Sequence, residues 1–265
     1  MTATATPPAT PPATPSASNK AHAEAFARDG YLHARGFFTE GDVREMQGQV
    51  GRYIEQVLPH MPLDAAFYED PKQPETLLRL EKLELRSRYF HDLLHSSQLV
   101  ELAGALLNDE PVAQGAQVFG KSPRIGKETP AHQDGYYFML EPNEALTMWV
   151  PLDATDRDNG CIRYLPGTHR GEMRPHGKSE TFGFSQGITD YGKADFDAEV
   201  AIEAVPGDLI AHHSMTVHRA DPNRSDRRRW AMGFIFFAKR AKRDEAKVER
   251  YREELHRQWA AAGKL

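Results

Sequence analysis

Ala131-His132-Gln133-Asp134-Gly135-Tyr136-Tyr137-Phe138 sets an imidazole and a carboxylate two residues apart. Read as an extended strand, its side chains alternate, and His132 and Asp134 share one face. One neutral nitrogen donor beside one anionic oxygen donor can hold a divalent metal. A histidine from a distant strand would complete a 2-His-1-carboxylate set, which leaves half of the coordination sphere open. In a chain with 12 His, one such H-x-D pair arises by chance about once. The weight of the reading therefore rests on the rest of the chain.

The 265 residues suit one large domain or two small ones. A hydrophobic fraction of 40% and a charged fraction of 27% are those of an ordinary globular protein. The net charge of -5 gives no general attraction to nucleic acid or acidic membranes. A single cysteine, Cys161, excludes an internal disulfide and fits a reducing cytoplasm, with core packing as its role. No apolar run approaches the length of a membrane span.

Residues 1–19 are a low-complexity Pro/Ala/Thr stretch without large apolar side chains, expected to be a disordered tail. It lacks the basic start and apolar core of a secretory signal. From residue 20 onward a single domain is expected. Residues 20–34 begin with a helix that Gly30 ends. Thr39 is the expected N-cap of a second helix, with Asp42 in the capping-box position. Val43, Met46, Val50, Tyr53, Ile54 and Val57 recur at helical spacing up to Pro59. Leu77 to Leu85 alternates as a strand, and Ser97 to Leu107 is a third, apolar helix.

From about 111 to 240 the pattern changes to short strands separated by Gly, Pro, Asn and Asp turns. Those strands are expected at Ala116–Gly120, Ala131–Leu140, Ala145–Leu152, Cys161–Leu165, Val200–Ala204, Leu209–His213 and Trp230–Lys239. Many short strands with regular turns imply a sandwich or closed barrel. With helices gathered at the N-terminus, the economical architecture is mainly β with flanking α: a double-stranded β-helix, or jelly roll, backed by helices. A charged helix from Asp244 to Ala262 ends the chain, with Val248, Tyr251, Leu255 and Trp259 on one stripe.

The candidates for the third metal ligand are His212, His213 and His218. Pro206-Gly207-Asp208 starts a strand and Asp221-Pro222-Asn223-Arg224 ends it. A hairpin centred between Asn223 and Arg224 would pair His218 with Arg229 on one face. An arginine there could hold the far carboxylate of a keto acid through two parallel hydrogen bonds. By strand parity His212 shares the face of His218, so spacing leaves both open as the ligand. The run Arg227-Arg228-Arg229 also reads as a plain solvated charge run.

Three stretches, GKETPAHQDGYYF, WVPLDATDRDNGCIRYLPGTHRGEMRPH and PGDLIAHHSMTVHRADPNRSDRRRWAMGF, resemble the phytanoyl-CoA dioxygenase family of Fe(II)/2-oxoglutarate oxygenases. They stand in family order, and the resemblance covers roughly residues 24–240. It implies a jelly-roll fold and a dioxygenase that uses Fe(II), 2-oxoglutarate and O2 to hydroxylate a small molecule. It implies His132, Asp134 and His218 as metal ligands, and Arg229, Trp149 and Gln117 as cosubstrate contacts. Lys82 would match a lysine that contacts 2-oxoglutarate. Ala220 stands where the family often carries serine. Asn159-Gly160-Cys161 and Pro166-Gly167-Thr168-His169 resemble family turns, with His169 structural. A carboxylate at Asp134 favours hydroxylation, because related halogenases carry a small residue there.

The substrate is less constrained. Of Tyr136, Tyr137 and Phe138, at least one is expected to face the pocket and another to pack in the core. Arg163, Arg170, Arg174 and His176 could receive an anionic substrate or form an exposed basic loop. Two other classes compete with the oxygenase reading. A non-catalytic jelly-roll domain that binds a small ligand would not need both a ligand triad and Arg229. A zinc hydrolase on the same fold would use three His, or two His and a Glu, and no keto-acid anchor.

Overall fold

The change of pattern near residue 111 is only partly a division in the molecule: helices precede it, but so do Tyr31–Ala34, Ala66–Tyr68 and Leu77–Leu80, three strands of the larger sheet. The computed structural model describes residues 17–61, 66–70, 72–73, 76–179 and 186–261. Most of the expected tail, residues 1–16, lies outside them, and the first helix runs Ala17–Asp29. The C-terminal helix runs Glu245–Ala261. Val248 is buried and Tyr251 half-buried, while the Leu255 and Trp259 side chains of that stripe lie outside the described residues.

Thr39 caps the helix Glu40–Arg52 as its sequence position predicts. Its Oγ1 accepts from the Asp42 N–H at 3.2 Å, and the Asp42 carboxylate accepts from the Thr39 N–H at 2.9 Å. The helix widens into a π-helical stretch at Tyr53–Val57 and ends in a 3-10 turn at Leu58–His60, where Pro59 has no N–H to continue it. The helix Ser97–Leu107 has its expected bounds. The strand expected over Leu77–Leu85 stops at Leu80. Lys82 then takes a left-handed conformation (φ 60°) and a short 3-10 turn follows.

Among the described residues two antiparallel sheets dominate. The larger has seven strands in the order Tyr31–Ala34, Leu209–His213, Ala145–Pro151, Arg229–Ala238, Pro111–Lys121, Leu77–Leu80 and Ala66–Tyr68. The smaller has four, in the order Val200–Ile202, Ile162–Tyr164, His218–Ala220 and Thr129–His132. Two sheets closed on each other with a helical layer behind the larger one are the jelly-roll architecture.

Strand parity divides the larger sheet between two duties. Leu146, Met148 and Val150, with Met232, Phe234 and Phe236, join the core formed with Val43, Met46 and Val50 of one helix and Leu99, Leu102 and Leu106 of another. The alternate residues Thr147, Trp149 and Ile235 turn to the opposite face and line a cavity between the sheets. Burying the helix-facing set drives the sheet together, at roughly 1.5–3 kcal/mol for each large side chain. The cavity-facing set is thereby free to be chosen for chemistry. Among the described residues, no helix is long and apolar enough to cross a membrane.

The edge strand Tyr31–Ala34 is tied in by one carboxylate. Asp208 accepts from the Gly36 N–H at 2.9 Å, from the Val205 N–H at 3.2 Å and from His33 Nε2 at 2.9 Å. Burial opposes its charge, but the two amides and His33 outweigh burial and hold the carboxyl below its ordinary 3.8. Asp208→Asn is expected to lower unfolding free energy by about 1–3 kcal/mol in urea titrations at neutral pH. A lowered native pKa gives stability that is present above 3.8 and lost as pH falls through the native value. The two proteins should therefore converge in acid. A constant gap down to the acid transition would show that the charge is not what Asp208 contributes.

Candidate metal centre

The centre is built from two rows of residues in register. On the smaller sheet His218 pairs with His132 on one side and with Tyr164 on the other. On the larger sheet Tyr31, His212, Thr147 and Ile235 stand side by side on four neighbouring strands. Both rows face inward. Pairing across strands thus brings His132 and His218 together from far apart in sequence, while His212 comes from the facing sheet.

Asp134 arrives differently from the sequence expectation. The strand ends at His132, and Asp134 is helical (φ −55°, ψ −32°), opening the one-turn helix Gly135–Phe138. The run Ala131–Leu140 is therefore not one strand. The Gly135 N–H donates to Ser214 O at 2.8 Å. A Cβ at Gly135 would lie 2.5 Å from Asn143 Nδ2, so a larger residue here would have to displace the Asn143 side chain, which donates to Gly135 O and accepts from Ser214 Oγ. The helical twist, not strand alternation, swings the carboxylate toward His132.

One ligand atom each from His132, Asp134 and His218 lie within 4.8 Å of one another. Asp134 Oδ1 is 3.4 Å from His132 Nε2 and 3.8 Å from His218 Nε2. Each imidazole turns its other nitrogen to a backbone carbonyl: His132 Nδ1 to Pro130 O at 2.8 Å and His218 Nδ1 to Thr216 O at 3.0 Å. Those carbonyls can only accept, so Nδ1 carries the proton and Nε2 presents its lone pair inward. Burial, His132 and His212 push the His218 imidazolium well below its usual range. Burial opposes the Asp134 charge, but His132, His212 and His218 hold its carboxyl well below the usual carboxylate range. Two neutral nitrogens and one carboxylate oxygen on one wall can hold a divalent ion by one face.

That wall borders a cavity of about 310 Å³. To one side lie Trp149, Phe119, Ala220, Lys121 and Arg229; to the other lie Tyr137, Phe138, Ile235 and Tyr251. Arg229 is buried, its guanidinium carbon is 5.3 Å from the Trp149 ring centre, and its Nε has no partner. Burial pulls its pKa down to about 10, so it stays charged at neutral pH. The hairpin pairing of Arg229 with His218 is not formed. Arg229 pairs with Lys121, because residues 221–228 carry the chain from the smaller sheet to the larger. Asn223 braces that crossing by donating to the carbonyls of Lys121 and Arg227.

Lys121 is buried beside Arg229, and burial and Arg229 push its ammonium well below the usual range. Its Nζ donates to the Lys127 carbonyl. Among the described residues no carboxylate lies within ion-pair distance of either side chain. A buried cation without a counter-charge is costly, and a carboxylate entering this end of the cavity would offset that cost. Gln117 also lines the cavity, opposite Gly233. Gly233 keeps the floor open, since a Cβ there would lie 2.7 Å from the Phe119 ring.

Other sequence candidates lie elsewhere. Lys82 is exposed and outside the cavity; Arg79, three residues earlier, lines it and pairs with Glu81 at 3.0 Å. Arg163 pairs with Glu199 and Asp221, Arg174 with Asp190 and Asp195, and Arg170 bonds the carbonyls of Ala27 and Arg28. His176 stacks on Tyr136 at 4.4 Å, so of the three aromatics only Tyr137 and Phe138 face the cavity. None of the four basic candidates lines it, and they do not form an anion receptor there. His169 bonds Ala27 O at 3.1 Å, which is structural. Cys161 is buried, and burial raises its thiol to about 11, which leaves it inert as a nucleophile. Sequence reasoning missed Arg79, Lys121, Thr147 and Tyr164. Only Lys121 had a usable signal, a lysine directly after the expected strand Ala116–Gly120, and it closes the strand Pro111–Lys121.

The model of the family described as Phytanoyl-CoA dioxygenase (PhyH) matches residues 26–231. The chain is 33% identical over 133 residues to the peroxisomal phytanoyl-CoA dioxygenase of Bos taurus, covering 47% of this chain and 39% of that one. It is 27% identical over 212 residues to a probable alpha-ketoglutarate-dependent hypophosphite dioxygenase of Stutzerimonas stutzeri, covering 76% and 72%. The matches span 39–66% of the length of the mammalian phytanoyl-CoA dioxygenases. Among solved structures, EvdO2 from Micromonospora carbonacea var. aurantiaca complexed with 2-oxoglutarate superposes with a TM-score of 0.65 at 26% identity, covering 85% of this chain and 92% of that one.

Proposed function

The chain belongs to the phytanoyl-CoA dioxygenase family, and from that premise we propose that it is an Fe(II)- and 2-oxoglutarate-dependent dioxygenase that hydroxylates a small molecule. The observation that carries the proposal is one cavity bordered by both a His132–Asp134–His218 cluster and the buried Arg229 guanidinium, whose Nε has no partner. The donor set fits Fe(II) with open positions. The guanidinium fits the far carboxylate of the keto acid. A zinc hydrolase or a simple binding domain needs no such buried cation.

Iron and 2-oxoglutarate, when bound, supply oxidative decarboxylation coupled to C–H oxidation: 2-oxoglutarate, O2 and R–H give succinate, CO2 and R–OH. The protein's part is placement. His132, Asp134 and His218 hold one face of the metal. Arg229 orients the cosubstrate, and Trp149 and Phe119 shield that end from water, which strengthens the ionic contact. Gln117 lines the same wall. Tyr137, Phe138, Ile235 and Tyr251 shape the other half, which suits a small substrate with an apolar reacting region. A cytoplasmic location is part of the proposal, resting on the single buried thiol.

Anaerobic addition of Fe(II) and 2-oxoglutarate is expected to give a weak metal-to-ligand charge-transfer band in the visible. Admission of O2 should then release succinate slowly even without substrate. Asp134→Ala should show neither. With metal occupancy confirmed, no band and no succinate in the wild type would sink the oxygenase reading.

A further inference from the structure

His212 is a buried histidine at the centre whose two ring nitrogens are both engaged. Its Nε2 lies 3.2 Å from Asp134 Oδ2, and its Nδ1 lies 2.9 Å from the Tyr164 hydroxyl. The Asp134 carboxylate can only accept, so His212 Nε2 carries the proton. In the neutral ring Nδ1 then accepts, and the Tyr164 O–H donates to it. Tyr164 is fully buried and stacks on Tyr31 with ring centres 4.7 Å apart and 8° between planes, which fixes its hydroxyl. Thr147 is the strand neighbour of His212, and its Oγ1 donates to the same Oδ2 at 2.7 Å. A pair of donors in register on the larger sheet thus takes one oxygen of Asp134. The other oxygen, Oδ1, is the one turned toward His132 and His218.

We propose that His212 is a positioning residue that makes Asp134 a one-oxygen ligand. With Thr147 it engages Oδ2, and only Oδ1 remains for the metal. This rests on the metal role assigned above to Asp134. The consequence is coordinative. A carboxylate free to rotate can bind through both oxygens and fill a position that the keto acid or O2 requires. His212, tied through Tyr164 to the opposite sheet, prevents that rotation. It reaches the ligand from the sheet that supplies neither metal-binding histidine, so the hydrogen bonds also lock the two sheets together at the centre. Hydrogen-bond partners that orient a ligand in this way typically change metal affinity by about 10–100-fold when lost.

The test is titration of the full chain with Co(II), reading both affinity and the visible d–d absorption, which reports coordination number. His212→Phe keeps the ring volume and removes the donor. It is expected to weaken Co(II) binding by about 10–100-fold and to change the absorption. His212→Gln can place an N–H near the same carboxylate oxygen, and should recover most of both. Wild-type affinity and spectrum in His212→Phe would overturn the proposal. So would equal loss in His212→Phe and His212→Gln, which would make His212 a packing residue. If His212→Phe does not fold, Tyr164→Phe and Thr147→Val carry the test, with weakened binding and an altered spectrum expected in both. Unchanged binding in both would again overturn it. No Co(II) binding by the wild type would overturn the metal centre itself, and this inference with it.

Discussion

Replacing His218 with alanine is expected to abolish Fe(II) binding at the centre and to eliminate succinate formation. The effect should exceed the roughly 10–100-fold that follows loss of an outer hydrogen-bonding partner, because it removes one of three donors. His218 lies between His132 and Tyr164 on the smaller sheet, and its Nδ1 is tied to its own strand. At the centre itself, the other ring that bonds Asp134 from the larger sheet is His212, and both of its nitrogens are engaged. His212, the one alternative by strand parity, would have to give up Asp134 or Tyr164. His212→Ala should therefore weaken metal binding without abolishing it, while His218→Ala leaves none. Equilibrium dialysis with Fe(II) under anaerobic conditions, alongside a succinate assay, separates the two. Full Fe(II) occupancy in His218→Ala with loss in His212→Ala would exchange their roles.

The jelly roll was legible because its elements announce themselves locally. Ser97–Leu107 is an uninterrupted apolar helix, and Leu209–His213 is bounded by a Gly-Asp turn and by Ser214. The three side chains of the candidate metal centre, which the structure brings together, were singled out through their residue types and the family pattern. The reason given for its first two members was not the operative one, since Asp134 sits on a helical turn. The strand stops two residues short of Asp134, and residue alternation does not show where a strand ends. The pairing of His218 with Arg229 failed for a different reason. Asp221-Pro222-Asn223-Arg224 signals a turn equally well in a hairpin and in a crossing between sheets. What decides is pairing with Thr129–His132 and Pro111–Lys121, about 100 residues away in sequence. Thr147 was hidden, and His212 was seen only as a rival ligand, because a buried strand does not advertise which of its polar residues meets Asp134.

Arg229→Met should weaken 2-oxoglutarate binding by roughly 30-fold to several thousand-fold. That range corresponds to the about 2–5 kcal/mol lost when one partner of a buried, hydrogen-bonded charge pair is removed. Fe(II) binding in the absence of 2-oxoglutarate should be unchanged, because Arg229 belongs to the larger sheet and pairs with Lys121 rather than with any ligand strand. Arg229→Lys keeps the charge but not the two-pronged donor, and should fall between wild type and Arg229→Met. Stability should move in the opposite direction. In the free protein Arg229 is a buried cation whose Nε lacks a partner, beside the buried Lys121 amine, whose charged form burial and Arg229 disfavour. An apolar chain of similar length removes that unfavourable charge, so the free variant should melt at or above the wild-type temperature. Adding 2-oxoglutarate should reverse the order, since a ligand at 100 times its Kd stabilises only the protein that binds it, by about 2.7 kcal/mol. Thermal melts with and without 2-oxoglutarate therefore carry two signs rather than one. A variant that is less stable when free, or that loses Fe(II) together with 2-oxoglutarate, would show that Arg229 supports the fold instead of waiting for an anion.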